Sequence, residues 1–175
     1  MIELAHALYT RAMGMQVVFY KVDEGRLCAW RAQIPKRRPF EGTTMASGRS
    51  LPHDLAQFVV ESTLRLPHGF WGLLAAGATF ESVRSRRRTR PGRQMIRTHH
   101  AALVTTEHLV NGHVAAWRAQ SPTPVGPALD AMLARWQALP VGAEMRVEWR
   151  VLPTRTPRTP TSHASRPSTP SSPSK

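Results

Sequence analysis

Apolar and polar residues alternate in two segments of the chain, at residues 16–33 and 144–152. Such alternation is typical of strands that are buried on one face. Gln16–Val22 and Arg26–Gln33 are rich in Val and aromatic residues, and Asp23-Glu24-Gly25 lies between them. This spacing predicts a β-hairpin with Gly25 in the left-handed region. Glu144–Leu152 alternates without interruption. It therefore predicts a half-buried strand that pairs with the hairpin in an antiparallel sheet.

The segment after the hairpin has the spacing of a helix. We expect this helix to begin at Ser50-Leu51-Pro52, because Ser can cap a helix and Asp54 complements the positive end of its dipole. Apolar residues on two sides of the helix predict that it lies at the centre of the core. Glu61 and Arg65 are predicted to form an i,i+4 ion pair on the remaining face. Pro67-His68-Gly69 is expected to end the helix.

Four other segments complete the secondary-structure prediction. Residues 34–49 contain two Pro and two Gly and are predicted to be a loop. Phe70–Phe80 has helical spacing. Residues 94–119 fit either a helix interrupted at Asn111-Gly112 or two strands around an Asn-Gly turn, and the Ala-rich flanks favour the helix. Residues 129–139 have the pattern of an amphipathic helix.

These elements predict an α+β fold with a small antiparallel sheet, made of the N-terminal hairpin plus the C-terminal strand, covered on one face by three to four helices. One domain is assigned to residues 15–152. Residues 1–14 are an N-terminal extension of unassigned structure, and Met15 is an alternative start of the chain. Residues 153–175 consist mainly of Pro, Ser, Thr and a few Arg. This composition predicts a disordered basic tail.

Positive charge is concentrated in two segments of the chain. The formal net charge is +13, residues 84–97 hold seven Arg without any acidic residue, and the tail is basic in the same way. The rest of the chain is nearly neutral. Localised charge of this kind predicts an anionic partner. A GC-rich coding sequence is an alternative cause, since Arg outnumbers Lys by 21 to 3.

The Arg-rich segment, which contains Pro91-Gly92, is predicted to be a loop that binds anions. Guanidinium groups without neighbouring acids repel one another until an anion such as phosphate neutralises them. The residues assigned to this anion- or nucleic-acid-binding site are Arg84, Arg86, Arg87, Arg88, Arg90 and Arg93. The side chains of Arg86, Arg87 and Arg88 are expected in water, and the site is expected to contact phosphates rather than base edges. A solvated loop without a partner is the alternative.

The sequence contains no complete catalytic or cofactor motif. His53-Asp54 and Gln57 have the spacing of the zinc-binding HExxH pattern, but Gln replaces the second His and is a poor zinc ligand. His100 and Glu107 interrupt the apolar stripe of residues 94–119. A hydrolase-like pocket formed by His53, Glu61, His100 and Glu107 is therefore a candidate catalytic site. No metal site and no cofactor are predicted.

The sequence thus favours a non-enzymatic binding module for an acidic partner, either nucleic acid or an acidic protein, that acts through the Arg-rich loop. The alternative is the hydrolase-like enzyme with a His/Glu pocket, and a dimer formed through an exposed sheet edge is a third hypothesis. The chain contains one cysteine, Cys28. A single cysteine predicts a reducing, cytoplasmic environment. No apolar run approaches the ~20 residues of a membrane helix, so no membrane partner is expected.

Overall fold

The computed structural model of the protein describes residues 14–150. Within this range the chain has an α+β architecture with a five-stranded antiparallel sheet, which does not close into a barrel, and five helices. The elements are β1 (Met15–Val22), β2 (Leu27–Gln33), β3 (Phe40–Glu41), β4 (Met45–Ala46), α1 (His53–Thr63), α2 (Phe70–Ala76), α3 (Arg90–Thr98), α4 (His100–Arg118), α5 (Gly126–Ala138) and β5 (Glu144–Trp149).

The predicted hairpin and C-terminal strand form the middle and one edge of the sheet. The strand order is β3-β2-β1-β5, and the short strand β4 also pairs with β2. Phe19 of β1 lies opposite Trp30 of β2 on one side and Met145 of β5 on the other. The hairpin turn has positive φ angles at Asp23, Glu24 and Gly25, so the predicted left-handed Gly25 is confirmed.

Alternation along the strands separates a buried face from an exposed face. Met15, Val17 and Phe19 of β1 are fully buried, and they belong to the core that the helices complete. The intervening residues, of which Gln16 is exposed and Val18 half-buried, point away from this core. Burial of apolar side chains on one face only is what a sheet covered by one helical layer requires.

Helix α1 lies at the centre of the core, as predicted. Every residue from Leu55 to Glu61 is buried, and α1 packs against α2, α4 and α5. Phe58 makes edge-to-face contacts with Phe19, Trp71 and Trp149. An aromatic cluster of this kind joins the helical layer to two strands of the sheet.

Several boundaries differ from the prediction for local physical reasons. Helix α1 begins at His53 with Pro52 at its N-cap, so Ser50 does not cap it. Helix α2 ends at Ala76 because Gly77, with a φ of 118°, takes the left-handed conformation that stops a helix. The loop predicted over residues 34–49 contains the two short strands β3 and β4.

The ambiguous segment is helical rather than a hairpin. The helix is interrupted at His99, between α3 and α4, and continues through Asn111 and Gly112 without a break. Val110 and Val114 are the apolar residues that α4 buries in the core. They are one helical turn apart, so the helix can bury both while Asn111 and Gly112 stay exposed.

The predictions for the two chain ends concern residues 1–13 and 151–175, which lie outside the described residues. Among the described helices, none combines the length and the apolar character that crossing a membrane requires.

Candidate functional site

Gln57 connects α1 to α4 through two carboxylates, of which Glu61 is buried and Glu107 is half-buried. Its side-chain amide nitrogen donates to Glu61 Oε1 at 2.9 Å and to Glu107 Oε1 at 2.6 Å. Gln57 itself is buried. Each of its two amide hydrogens therefore has a carboxylate acceptor. One acceptor, Glu61, lies one turn further along α1, and the other, Glu107, belongs to α4.

The carboxylate of Glu61 caps α2. It accepts hydrogen bonds from the backbone N–H groups of Phe70, at 2.9 Å, and Trp71, at 3.0 Å. Helix α2 has Gly69 at its N-cap and no side-chain cap of its own, so Glu61 supplies the acceptors that its first turn needs. The predicted Glu61–Arg65 ion pair is wrong, because Glu61 points into the core while Arg65 is exposed at a positive φ of 56°.

Burial of Glu61 has a large effect on its ionisation. The side chain is fully buried. Burial raises its pKa from the ordinary value of 4.5 to about 7, while the hydrogen bonds from Gln57 and from the amides of Trp71 and Phe70 act in the opposite direction. Burial thus moves the pKa of this carboxyl group into the neutral range, although its oxygens already accept hydrogen bonds from the protein.

His53 is the exposed first residue of α1, the helix that also carries Gln57 and Glu61. Its Nδ1 is 3.5 Å from Asp54 Oδ1, and the other oxygen of Asp54 accepts a hydrogen bond from Trp30 Nε1 at 2.7 Å. The hydrogen bond with Asp54 raises the pKa of His53, with smaller contributions in the same direction from Asn111 and Glu107 of α4. His53 therefore faces three polar groups that favour its protonated form.

Of the four candidate catalytic residues, the structure joins Glu61 and Glu107 through Gln57. His53 is the first residue of α1, about 12 Å along the helix axis from Glu61. His100 is exposed at the first residue of α4 and makes no described hydrogen bond with the other three. Within residues 14–150, no group of three or more His, Cys, Asp or Glu side chains could hold a metal ion. Because Glu61 is sealed by backbone donors, we interpret the contacts of Gln57 with Glu61 and Glu107 as a network that joins helices.

The Arg-rich segment is attached to the edge of the sheet. Glu41 of β3 and Arg84 exchange two backbone hydrogen bonds, of 2.7 and 3.2 Å. Strand β3 begins two residues after the basic run Lys36–Arg38, with Pro39 in between. The bridge therefore places two basic stretches, which are far apart in sequence, next to each other in space.

Arg86 is part of the fold rather than a solvated side chain. Its Nη1 donates to the carbonyl oxygen of Leu74 at 3.2 Å, and its guanidinium carbon lies 4.5 Å from the ring centroid of Phe40. Burial, together with the charge of Arg37, lowers its pKa. The expectation that this side chain lies in water is thus wrong, because its guanidinium binds a carbonyl at the C-terminal end of α2.

Half of the Arg-rich segment is helical. Thr89 caps α3 by accepting a hydrogen bond from Gly92 N at 3.1 Å, and Pro91 stands in the first turn, where its missing N–H is harmless. The loop predicted around Pro91-Gly92 therefore ends at Thr89. The first turn of α3 contains Arg90 and Arg93 and no acidic residue, so the positive end of the helix dipole carries positive side chains.

The first turn of α3 also approaches Gly77, which the side chain of Arg37 reaches from the loop between β2 and β3. A side chain added at Gly92 would contact the carbonyl oxygen of Gly77, and one added at Gly77 would lie 3.5 Å from Arg37 Nη1. We call the resulting patch the basic surface. It consists of the exposed residues Lys36, Arg37, Arg38, Arg84, Arg87, Arg90 and Arg93.

The basic surface lies beside one ion pair that does not belong to it, between Arg88 and Glu81 at 3.3 Å. None of the seven residues of the basic surface has an ion-pair partner among residues 14–150. Sequence reasoning identified the arginines from Arg84 to Arg93 but missed Lys36, Arg37 and Arg38. The run of three basic residues was visible in the sequence, but its proximity to the Arg-rich segment depends on the Glu41–Arg84 bridge.

The chain matches no protein-family model, and no curated protein or solved structure is significantly similar to it.

Proposed function

We propose that this protein is a non-enzymatic module that binds nucleic acid through phosphate contacts at the basic surface. The observation that carries this proposal is the meeting of two basic stretches, Lys36–Arg38 and Arg84–Arg93, at one edge of the sheet. Guanidinium groups crowded together without carboxylate partners gain most from a ligand that presents a row of anions.

A phosphate backbone fits the chemistry of this surface. Arg presents a planar fork of donors that binds phosphate oxygens in pairs. Each phosphate that a side chain neutralises releases condensed counterions, so several modest contacts add up to measurable affinity at low salt. Lys36–Arg38 precede the two-residue strand β3, Arg84 and Arg87 precede α3, and only Arg90 and Arg93 lie in its first turn. Because most of these residues lie outside helices and strands, we expect phosphate contacts without reading of base edges in a duplex.

The test is a fluorescence anisotropy titration of the full chain with a labelled oligonucleotide at two salt concentrations. The variant Arg87→Ser/Arg90→Ser/Arg93→Ser removes three exposed charges and leaves Arg86 in place. We expect it to weaken binding to every sequence alike and to reduce the slope of log affinity against log salt by about two to three.

The matched control removes the same charge elsewhere on the molecule. Arg49, Arg118 and Arg135 are exposed and lie outside the basic surface, so their triple change to Ser should have a much smaller effect on affinity. Absence of binding by the native chain at low salt would refute the proposal. An equal loss of affinity in the two triple variants would also contradict it, because binding would then depend on net charge and not on this surface. Binding only to acidic proteins would favour the alternative partner.

A further inference from the structure

The exposed face of the sheet carries three rows of side chains that run across the strands. In antiparallel strands, residues directly opposite one another point to the same face. The register puts Gln33, Gln16 and Glu148 in one row. The next row contains Arg31, Val18 and Arg146, and the third contains Ala29, Tyr20 and Glu144. We call these nine residues the open sheet face, because the core cluster lies on the opposite face and all of them except the buried Ala29 are exposed or half-buried.

The open sheet face has paired charges and unpaired amides. Glu144 forms ion pairs with Arg31 and with Arg146, and Glu148 pairs with Arg150. The side chains of Gln16 and Gln33 are exposed and make no described hydrogen bond. An amide offers both a donor and an acceptor and no charge. This face is therefore suited to uncharged polar groups rather than to phosphates.

Planar groups are present beside the amides. The guanidinium carbon of Arg31 lies 6.0 Å from the ring centroid of Tyr20. Unstacked nucleobases in proteins bind to aromatic rings and to Arg planes, while their edges form hydrogen bonds with polar side chains. Both kinds of contact are present on this one face, from Gln16, Gln33, Arg31 and Tyr20.

The open sheet face is continuous with the basic surface. One depression on this face is lined by Gln16, Gln33 and Pro35, and a neighbouring one by Gln16, Gln33, Arg31 and Pro39. Pro35 and Pro39 flank Lys36–Arg38 in sequence. A chain whose phosphates contact Lys36–Arg38 is therefore close enough to place its bases on the amides of the open sheet face.

We propose that the nucleic acid is single-stranded, with its bases on the open sheet face and its phosphates on the basic surface. This inference rests on the proposed function and specifies its ligand. A duplex keeps its base faces stacked inside the helix, so Tyr20 and Arg31 could not stack on them. A single strand can turn its bases toward the protein and uses both surfaces at once.

The experiment compares a single strand with a duplex of the same length and sequence, both titrated against the full chain at low salt. The double variant Gln16→Thr/Gln33→Thr removes the two amides and keeps residues that favour strands. Gln137→Ala, on the exposed part of α5, is the matched control for loss of an amide. We expect the native chain to prefer the single strand by at least about tenfold, and the double variant to lose about fivefold to tenfold of single-strand affinity while duplex affinity is unchanged.

The possible results separate this inference from the proposed function. Equal affinity for the two ligands, or an unchanged single-strand affinity in the double variant, would overturn the inference and leave phosphate binding intact. A native chain that binds neither ligand would overturn both. If sedimentation shows a native dimer that the double variant loses, the open sheet face is an interface with a second copy, which also overturns the inference.

Discussion

Glu61→Gln removes a buried negative charge while it nearly keeps the size of the side chain. Burial raises the pKa of Glu61 from 4.5 to about 7, and each pKa unit corresponds to about 1.4 kcal/mol. Below pH 4.5 the group is protonated in both the folded and the unfolded chain. Above pH 7 it is ionised in both, and the folded state bears the full cost of the buried charge. The contribution of Glu61 to stability therefore falls by about 3 kcal/mol as pH rises through this window.

Urea unfolding at pH 5 and pH 8 measures this loss. The native chain should lose about 2–3 kcal/mol more than the Glu61→Gln variant over this interval, because the amide does not titrate. His53, whose pKa is also raised, destabilises the fold in the same direction as pH rises, but it contributes equally to both proteins. Gln has one acceptor oxygen for three donors, so the absolute stability of the variant falls, and only the difference between the two pH values is informative.

Glu81→Gln provides the matched control. Glu81 is highly exposed, so its replacement should leave the pH dependence of unfolding as it is in the native chain. If the native chain and Glu61→Gln lose stability in parallel between pH 5 and pH 8, ionisation of the buried carboxylate is not the cause and the reasoning fails.

Three other changes test the packing that surrounds the basic surface and the core. Arg86→Ser should lower the free energy of unfolding by about 1–2 kcal/mol, since the guanidinium of Arg86 is half-buried at the end of α2. Arg87→Ser should change the free energy of unfolding by less than about 0.5 kcal/mol, and urea titration of both variants tests the contrast. Trp136→Ala should cost about 3–5 kcal/mol because Trp136 is fully buried, and a loss below about 1 kcal/mol in the same assay would contradict its place in the core. Thr79→Val should raise Tm by a few degrees in calorimetry, because the buried Thr79 hydroxyl has no hydrogen-bond partner within residues 14–150. Thr123→Val is the control and should lower Tm, because it removes a hydroxyl that is hydrogen-bonded to His113.

The sheet and most of the helices could be predicted because their signals are local. The alternation of β1, β2 and β5 and the apolar sides of α1 and α5 are periodic over a few residues. The segment now divided into α3 and α4 was ambiguous, because Asn111-Gly112 is a hairpin signal when it is considered alone. Packing of Val110 and Val114 into the core decides for the helix, and a sequence pattern does not contain that packing.

The roles of individual charged residues depend on contacts between distant parts of the chain. Arg65 stands one turn after Glu61 and was the obvious partner, but the chain reverses after α1 and brings the amides of Phe70 and Trp71 to the carboxylate. In the same way, the three basic residues Lys36–Arg38 joined the candidate site only through the bridge between Glu41 and Arg84. Sequence periodicity predicts which face of an element is buried, and it does not identify the group that a buried charge will meet.

Helix α2 is held at both ends by side chains from other elements, and this determines how the domain can open. Glu61 accepts from the amides of its first turn, and Arg86 donates to a carbonyl near its last turn. A helix of seven residues does not persist alone in water. Complete unravelling of α2 breaks the contacts of both the buried carboxylate and the guanidinium from the Arg-rich segment. We therefore expect the amide protons of α2 to exchange with solvent mainly in openings that also release the Arg-rich segment.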